Sequence, residues 1–289
     1  MLQSGGAELE GNPDLGRLVL KPGEFRAIVE KVGAITGMNL QEGKEDLVKA
    51  RLLKRLRLLG LDSFSAYLAH LERDRSGAEL SNLVDVLTTN KTSFFREQEH
   101  FDFMKKKVLP GLAGRGARIW SSACSSGEEP YSIGMQLREE IPDLARWDVK
   151  ILATDISTKV LAKAAEGFYA MDSLDGVSPQ RLQAHFTGGV SAGRNGYRVK
   201  AELAALVKLA RLNLMEDWPM QGPFDVIFCR NVMIYFNKET QERLVNRFCR
   251  LIKPGGHLLV GHSESLSGLK HPYRYVQPAV YEKPLGGAP

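Results

Sequence analysis

From Ala117 to Ile133 the chain reads A-R-I-W-S-S-A-C-S-S-G-E-E-P-Y-S-I: an apolar strand, a run of small residues turning at Gly127, two carboxylates and a helix start. Around it, strand-like and helix-like segments alternate. Strands are expected at 118–122, 149–154, 206–212, 224–229 and 256–261, and helices at 130–141, 157–165 and 238–252. That alternation predicts an α/β fold with a largely parallel sheet covered by helices on both faces. The terminal Y-R-Y-V-Q-P-A-V-Y-E-K predicts an antiparallel hairpin, and the Gly-rich stretch 187–199 a small inserted β-hairpin.

The first part of the chain has a different texture. Residues 1–22 read as a flexible lead-in, and 23–87 carry helical periodicity only. Phe25, Ile28, Val29, Val32 and Ile35 make one apolar face that Gly37 ends. Val48, Leu52, Leu56 and Leu59 make a second, which Gly60 stops. Lys44, Arg51, Lys54 and Arg55 lie beside that second face. Ser63 is placed to cap a third helix, and a fourth runs through Leu80, Leu83, Val84 and Leu87. A small helical domain is expected, then a joining segment at 88–99, an α/β domain over 100–284 and a tail at 285–289. The 289 residues suit two domains.

Composition narrows the function classes. A hydrophobic content of 43% with 25% charged residues fits an ordinary globular protein, and no apolar run reaches the ~20 residues that cross a bilayer. The N-terminal residues lack a secretory signal, and three scattered cysteines make neither a disulfide framework nor a metal set, so a cytoplasmic setting is expected. A formal charge of +5 suits any acidic partner.

In a doubly wound sheet, ligands bind beyond the carboxyl ends of the strands, and the chemistry-bearing residues fall there. Glu128 and Glu129 follow the first strand. One carboxylate there suits a helix start beside Pro130, but two, after a loop of small residues, point to hydroxyls or a cation. We read the loop as holding a positively charged nucleoside, S-adenosylmethionine. Asp155 ends the second strand, where it either accepts ribose hydroxyls or caps the next helix. Asn213 and Leu214 follow the third, as a base-binding pair or a plain polar turn. Arg230 and Asn231 end a buried strand with Tyr235 a helical turn beyond. Arg230 there either faces the reacting centre or pairs with a carboxylate. In the joining segment Asn90, Thr92 and Arg96 stand out, whereas Phe94 and Phe95 read as packing. Gly261-His262-Ser263 is the most site-like histidine context and matches no hydrolase elbow or metal pair.

Five blocks in order carry a resemblance: T-T-N-K-T-S-F-F-R-E (88–97), S-S-G-E-E-P-Y-S-I (125–133), A-T-D-I-S (153–157), F-C-R-N-V-M-I-Y-F (228–236) and K-P-G-G…G-H-S-E (253–264). Over roughly residues 23–283 the chain resembles the chemotaxis receptor methyltransferases, S-adenosylmethionine-dependent protein-glutamate O-methyltransferases. The resemblance implies a helical N-terminal domain and a Rossmann-like domain with an inserted β-subdomain. It carries cofactor contacts to Asn90, Thr92, Arg96, Glu129, Asp155, Asn213, Leu214, Arg230 and Asn231, with Glu129 on the methionine ammonium and Asp155 on the ribose. It assigns the basic helix, with Lys44, Arg51, Lys54 and Arg55, to the cytoplasmic signalling helices of chemoreceptors. In some members the inserted subdomain docks a receptor's C-terminal peptide. The acceptor Glu is already ionised at neutral pH, so no strong base is needed, and Arg96 and Tyr235 are the candidates to steady it. An NAD-linked oxidoreductase lacks its G-x-G-x-x-G here. An RNA methyltransferase finds no interleaved aromatics on the basic helix. A non-catalytic cofactor sensor is the remaining alternative.

Overall fold

Leucine and valine at helical spacing produce the first four helices. The computed structural model describes residues 17–39, 43–112 and 115–286, so most of the lead-in and the last three residues of the tail lie outside the described residues. Contacts divide the chain into two compact units, one comprising 1–34 and 40–88 and the other 35–39 and 89–289.

The first unit contains α1 (Pro22–Thr36, whose last two residues belong to the second unit), α2 (Glu45–Leu59), α3 (Phe64–Arg73) and α4 (Ala78–Leu87). Ile28, Val32, Leu52, Leu56, Tyr67 and Leu83 are fully buried. Gly60 closes α2 in the left-handed conformation at φ 65°, and the Ser63 hydroxyl caps α3 by accepting from the Ala66 N–H at 3.2 Å. The Glu79 carboxylate is sealed within this unit, accepting from Arg55 Nε at 2.8 Å and from the Tyr67 hydroxyl at 2.9 Å.

The second unit opens with α5 (Gln98–Phe103), extended by a π-type turn over Met104–Val108 and a 3-10 turn over Leu109–Leu112. This stretch is thus a short helix with a widened turn. Then follow β1 (Ala117–Ser121), α6 (Glu128–Glu140), β2 (Val149–Asp155), α7 (Thr158–Glu166), β3 (Phe168–Ala170), α8 (Pro179–His185), β4 (Phe186–Ser191), β5 (Arg194–Val199) and α9 (Ala201–Ala204). The chain finishes through β6 (Val207–Arg211), β7 (Phe224–Cys229), α10 (Lys238–Leu251), β8 (Ile252–Val260), β9 (Arg274–Gln277) and β10 (Val280–Glu282).

Seven strands make the main sheet in the order β6-β2-β1-β7-β8-β10-β9, parallel through β8, with the last two antiparallel. The expected parallel sheet and terminal hairpin are both present. β7 is buried at every position, which its unbroken apolar text requires of a central parallel strand. β1 lies between β2 and β7, so the strand order reverses beside it and a crevice opens at its carboxyl end. The insertion is larger than the hairpin read at 187–199: β3 joins β5 and β4 in a separate three-stranded antiparallel sheet, with α8 between. β3 is only three residues long, too short to show a period.

Candidate active site

The loop leaving β1 is drawn tight by its neighbours. Ser122 N–H donates to the Phe228 carbonyl of β7 at 2.9 Å, and Cys124 N–H to the Thr154 carbonyl of β2 at 2.8 Å. Asp155 fixes the next step: one oxygen accepts from Ser125 N–H and the other from Ser157 N–H, both at 2.9 Å. The helix cap itself is Ser157, whose hydroxyl accepts from Val160 N–H. Asp155 therefore shapes the loop through both of its carboxylate oxygens. Gly127, at φ 99°, has room for nothing larger. A Cβ there would lie 2.8 Å from the Tyr169 hydroxyl and 2.9 Å from Ala164 Cβ. That hydroxyl donates to the Ser126 carbonyl at 2.8 Å.

Glu129, in the first turn of α6, points into the crevice beneath this loop. It accepts from the Ser121 hydroxyl at 2.6 Å and from an Arg230 terminal nitrogen at 2.9 Å. The Arg230 side chain, 2% exposed, also reaches Glu97 Oε2 through Nε at 3.2 Å and its other terminal nitrogen at 3.0 Å, and bonds the Arg96 carbonyl. Arg230 is thus paired with two carboxylates, the structural alternative its sequence context allowed, and holds one of them at the crevice. Burial pushes the Glu97 carboxyl up, but the Arg230 charge and the N–H of His262 outweigh it and leave it below the usual range. Burial raises the Glu128 carboxyl, and the Ser126 hydroxyl, a backbone hydrogen bond and the Lys163 charge only partly offset it.

The joining segment wraps this rim. The Asn90 carbonyl accepts from the Ser125 hydroxyl at 2.9 Å, and the Arg96 guanidinium bonds the Lys91 carbonyl. Phe94 packs edge-on against Tyr169 and Phe186, and Phe95 against Phe101 with Arg181 over its face at 3.8 Å, so both are packing residues as read from sequence. Thr92 is half-buried on the same segment. Phe95, Glu97, Ser125 and Asn231, all non-glycine, take positive φ here (51°, 57°, 49° and 57°). Such strain, about 1–3 kcal/mol per residue, persists where the surroundings over-determine it, and it gathers at functional rims.

Asn213 meets its partners inside the protein. Its amide donates to the Ile35 carbonyl at 2.8 Å and to Glu216 at 3.0 Å, and its oxygen accepts from Met215 N–H at 3.0 Å. Its side chain makes the polar turn that was the plainer reading, while Leu214 beside it is buried. Asn231 directs its N–H to Glu264 Oε2 at 2.8 Å, and Tyr235 sits half-buried in a 3-10 turn. Sequence reading missed Glu97, Glu264 and Tyr169. Glu264 accepts from the N–H groups of Gly261, Asn231 and Ile234. Its place in G-H-S-E was the available signal. Glu97 closes the block at 88–97, but nothing in that block pointed to Arg230, which lies 133 positions away.

Two basic residues expected to face a partner also serve as struts within the helical unit. Arg55 is ion-paired with Glu79, and Arg51 bonds the Leu87 and Thr88 carbonyls. Burying the Glu79 carboxylate required a cation, and Arg55 was within reach across the helix pair. Lys44, Lys54 and Arg57 remain exposed on α2.

The donor set fits S-adenosylmethionine. Two buried carboxylates sit at the ends of neighbouring strands, one suited to an ammonium and one to vicinal hydroxyls, and the small-residue loop between them admits a ligand's close approach. Residues 90–281 match the CheR methyltransferase SAM-binding domain, and residues 23–88 the CheR methyltransferase all-alpha domain. The chain is 43% identical to the chemotaxis protein methyltransferase of Salmonella typhimurium over 92% of its length and 91% of that protein's. It is 42% identical to the Escherichia coli counterpart, covering 92% of each, and 41% to that of Borreliella burgdorferi, covering 90% of this chain and 94% of that one. S-Adenosylmethionine is accordingly the cofactor, the sheet is of the Rossmann-like methyltransferase type, and this chain belongs to the CheR chemotaxis methyltransferase family.

Proposed function

We propose that this protein esterifies glutamate side chains on the cytoplasmic helices of chemoreceptors, with S-adenosylmethionine as methyl donor. The observation that carries the acceptor half of this reading is the exposed cationic face of α2, Lys44, Lys54 and Arg57, which suits an acidic helical partner. The chemotaxis relatives named above support the same setting. Arg51 and Arg55, on the same stripe and braced by Leu87, Thr88 and Glu79, add to its positive charge.

When bound, the cofactor supplies a methyl group activated by a positive sulfur. Glu129 holds the amino group of its methionine part and Asp155 the ribose hydroxyls, with Asn90, Thr92, Arg96, Leu214, Arg230 and Asn231 completing the lining and Asn213 contributing through the turn that its inward side chain braces. Arg230 aims Glu129, holding one of its carboxylate oxygens at 2.9 Å. The acceptor carboxylate, with an ordinary pKa of about 4.3, arrives ionised, so the protein's task is alignment and exclusion of water. Arg96 and Tyr235 steady it. The inserted sheet β3-β5-β4 presents the β4 edge, where Gly188 and Gly189 are exposed, to a receptor's C-terminal peptide.

The test is incubation with methyl-tritiated cofactor and chemoreceptor membranes, followed by alkali. Base-released labelled methanol from the receptor band is expected. Retained cofactor binding with label stable to alkali, or on RNA, overturns the acceptor assignment. Arg96→Ala is expected to lower turnover at saturating cofactor and receptor by at least tenfold.

A further inference from the structure

His100 poses a problem that the methyl-transfer site does not solve. Its side chain has no solvent exposure, yet neither ring nitrogen has a hydrogen-bond partner. A neutral imidazole always carries one N–H, and leaving it unpaired in a dry interior is costly. Nδ1 points at Glu97 Oε2 across 3.5 Å, beyond hydrogen-bonding distance. The His262 ring packs edge-on against it with centroids 5.2 Å apart. One donor atom from each of Glu97, His100 and His262 lies within 4.8 Å of the other two. Glu99 Oε2 lies 3.7 Å from His262 Nε2 and offers a fourth donor.

We propose that Glu97, His100 and His262 form a binding site for one divalent transition-metal ion of the zinc class, with Glu99 available as a fourth ligand. Two imidazoles and carboxylate oxygen are borderline donors that favour zinc, cobalt or nickel over magnesium or calcium. Ligand bonds of about 2.0–2.2 Å require the donors to close in slightly. The movable partner is His262, whose side chain is 43% exposed, while His100 and Glu97 are fixed by burial. Glu97 Oε2 faces both Arg230 and His100 Nδ1, and Oε1 accepts from His262 N–H at 3.2 Å and the Asn231 amide at 3.4 Å, so an ion here takes the remaining lone pair of a carboxylate with about four lone-pair positions. Charge favours the ion: Arg230 is paired with Glu97 and Glu129, and Glu99 adds a further carboxylate beside His262. The ion would bind the same Glu97 that anchors Arg230, so metal occupancy is coupled to the geometry of the Glu129 end of the cofactor crevice.

The experiment uses the full, untagged chain, stripped with a chelator and titrated with cobalt(II). One equivalent is expected to bind with visible ligand-field absorption of a four- or five-coordinate centre, and zinc is expected to displace it. His262→Ala and His262→Asn, at an exposed side chain, are expected to weaken cobalt binding at least tenfold with unchanged circular dichroism. Uptake below a tenth of an equivalent, an octahedral aquo-like spectrum, or equal binding by both His262 variants overturns the site. None of these readouts involves methyl transfer, so they stand apart from the acceptor assignment.

Discussion

At the residue scale the decisive group is Arg230. A guanidinium at the end of an apolar strand tells the reader that a carboxylate must be near, and two are, Glu97 and Glu129. Arg230→Ala leaves both carboxylates buried and unpaired. The expected loss is about 3–5 kcal/mol of stability, readable by urea unfolding, together with loss of cofactor binding. Glu79 tests the same logic in the helical unit. Burial alone would raise its pKa, but hydrogen bonds and charge from Arg55, with the Tyr67 hydroxyl, bring it below the ordinary carboxylate value. A depressed folded-state pKa means that its contribution is complete above about pH 4.3 and is lost as pH falls through the folded value. Glu79→Gln is therefore expected to lower stability at pH 7 and to flatten its decline below pH 4.3, measured by thermal unfolding across pH.

At the element scale the loop between β1 and α6 depends on one glycine. Gly127 is left-handed and meets the Tyr169 hydroxyl and Ala164, so any side chain displaces the loop that Asp155 and Ser125 hold. Gly127→Ala is expected to weaken S-adenosylmethionine binding at least tenfold by calorimetry while leaving the helical unit folded. The sequence made this loop legible, because small residues, a turn and two carboxylates in a row have few other uses. It left Arg51 and Arg55 illegible: a basic stripe looks the same whether its members face solvent or reach back to Glu79 and the end of α4. It also left the three-stranded insertion half legible. β4 and β5 announce themselves with a glycine turn, whereas β3 pairs with a strand about 30 positions away.

At the scale of the whole molecule, the proposed cofactor site draws on segments spread between residues 90 and 264. None of the described helices is long and apolar enough to cross a membrane. A ligand that binds only the assembled crevice stabilises the fold by mass action, about 2.7 kcal/mol at a hundred times its dissociation constant. S-Adenosylmethionine is expected to raise the unfolding temperature of the native protein and to lose that effect in Gly127→Ala. Equal stabilisation of both would remove the loop from the binding site.

Sequence alone determined the parallel sheet and the chemical character of its ligand, because these follow from local periodicity and from residue types adjacent in the chain. Only the tertiary structure decided which carboxylates Arg230 holds, that Asn213 turns inward, that two arginines of α2 are struts, and that His100 lies unpaired beside Glu97 and His262. Each of those is a choice of partner across tens to more than a hundred residues, and burial settles it by requiring every charge and donor removed from water to find a complement in space.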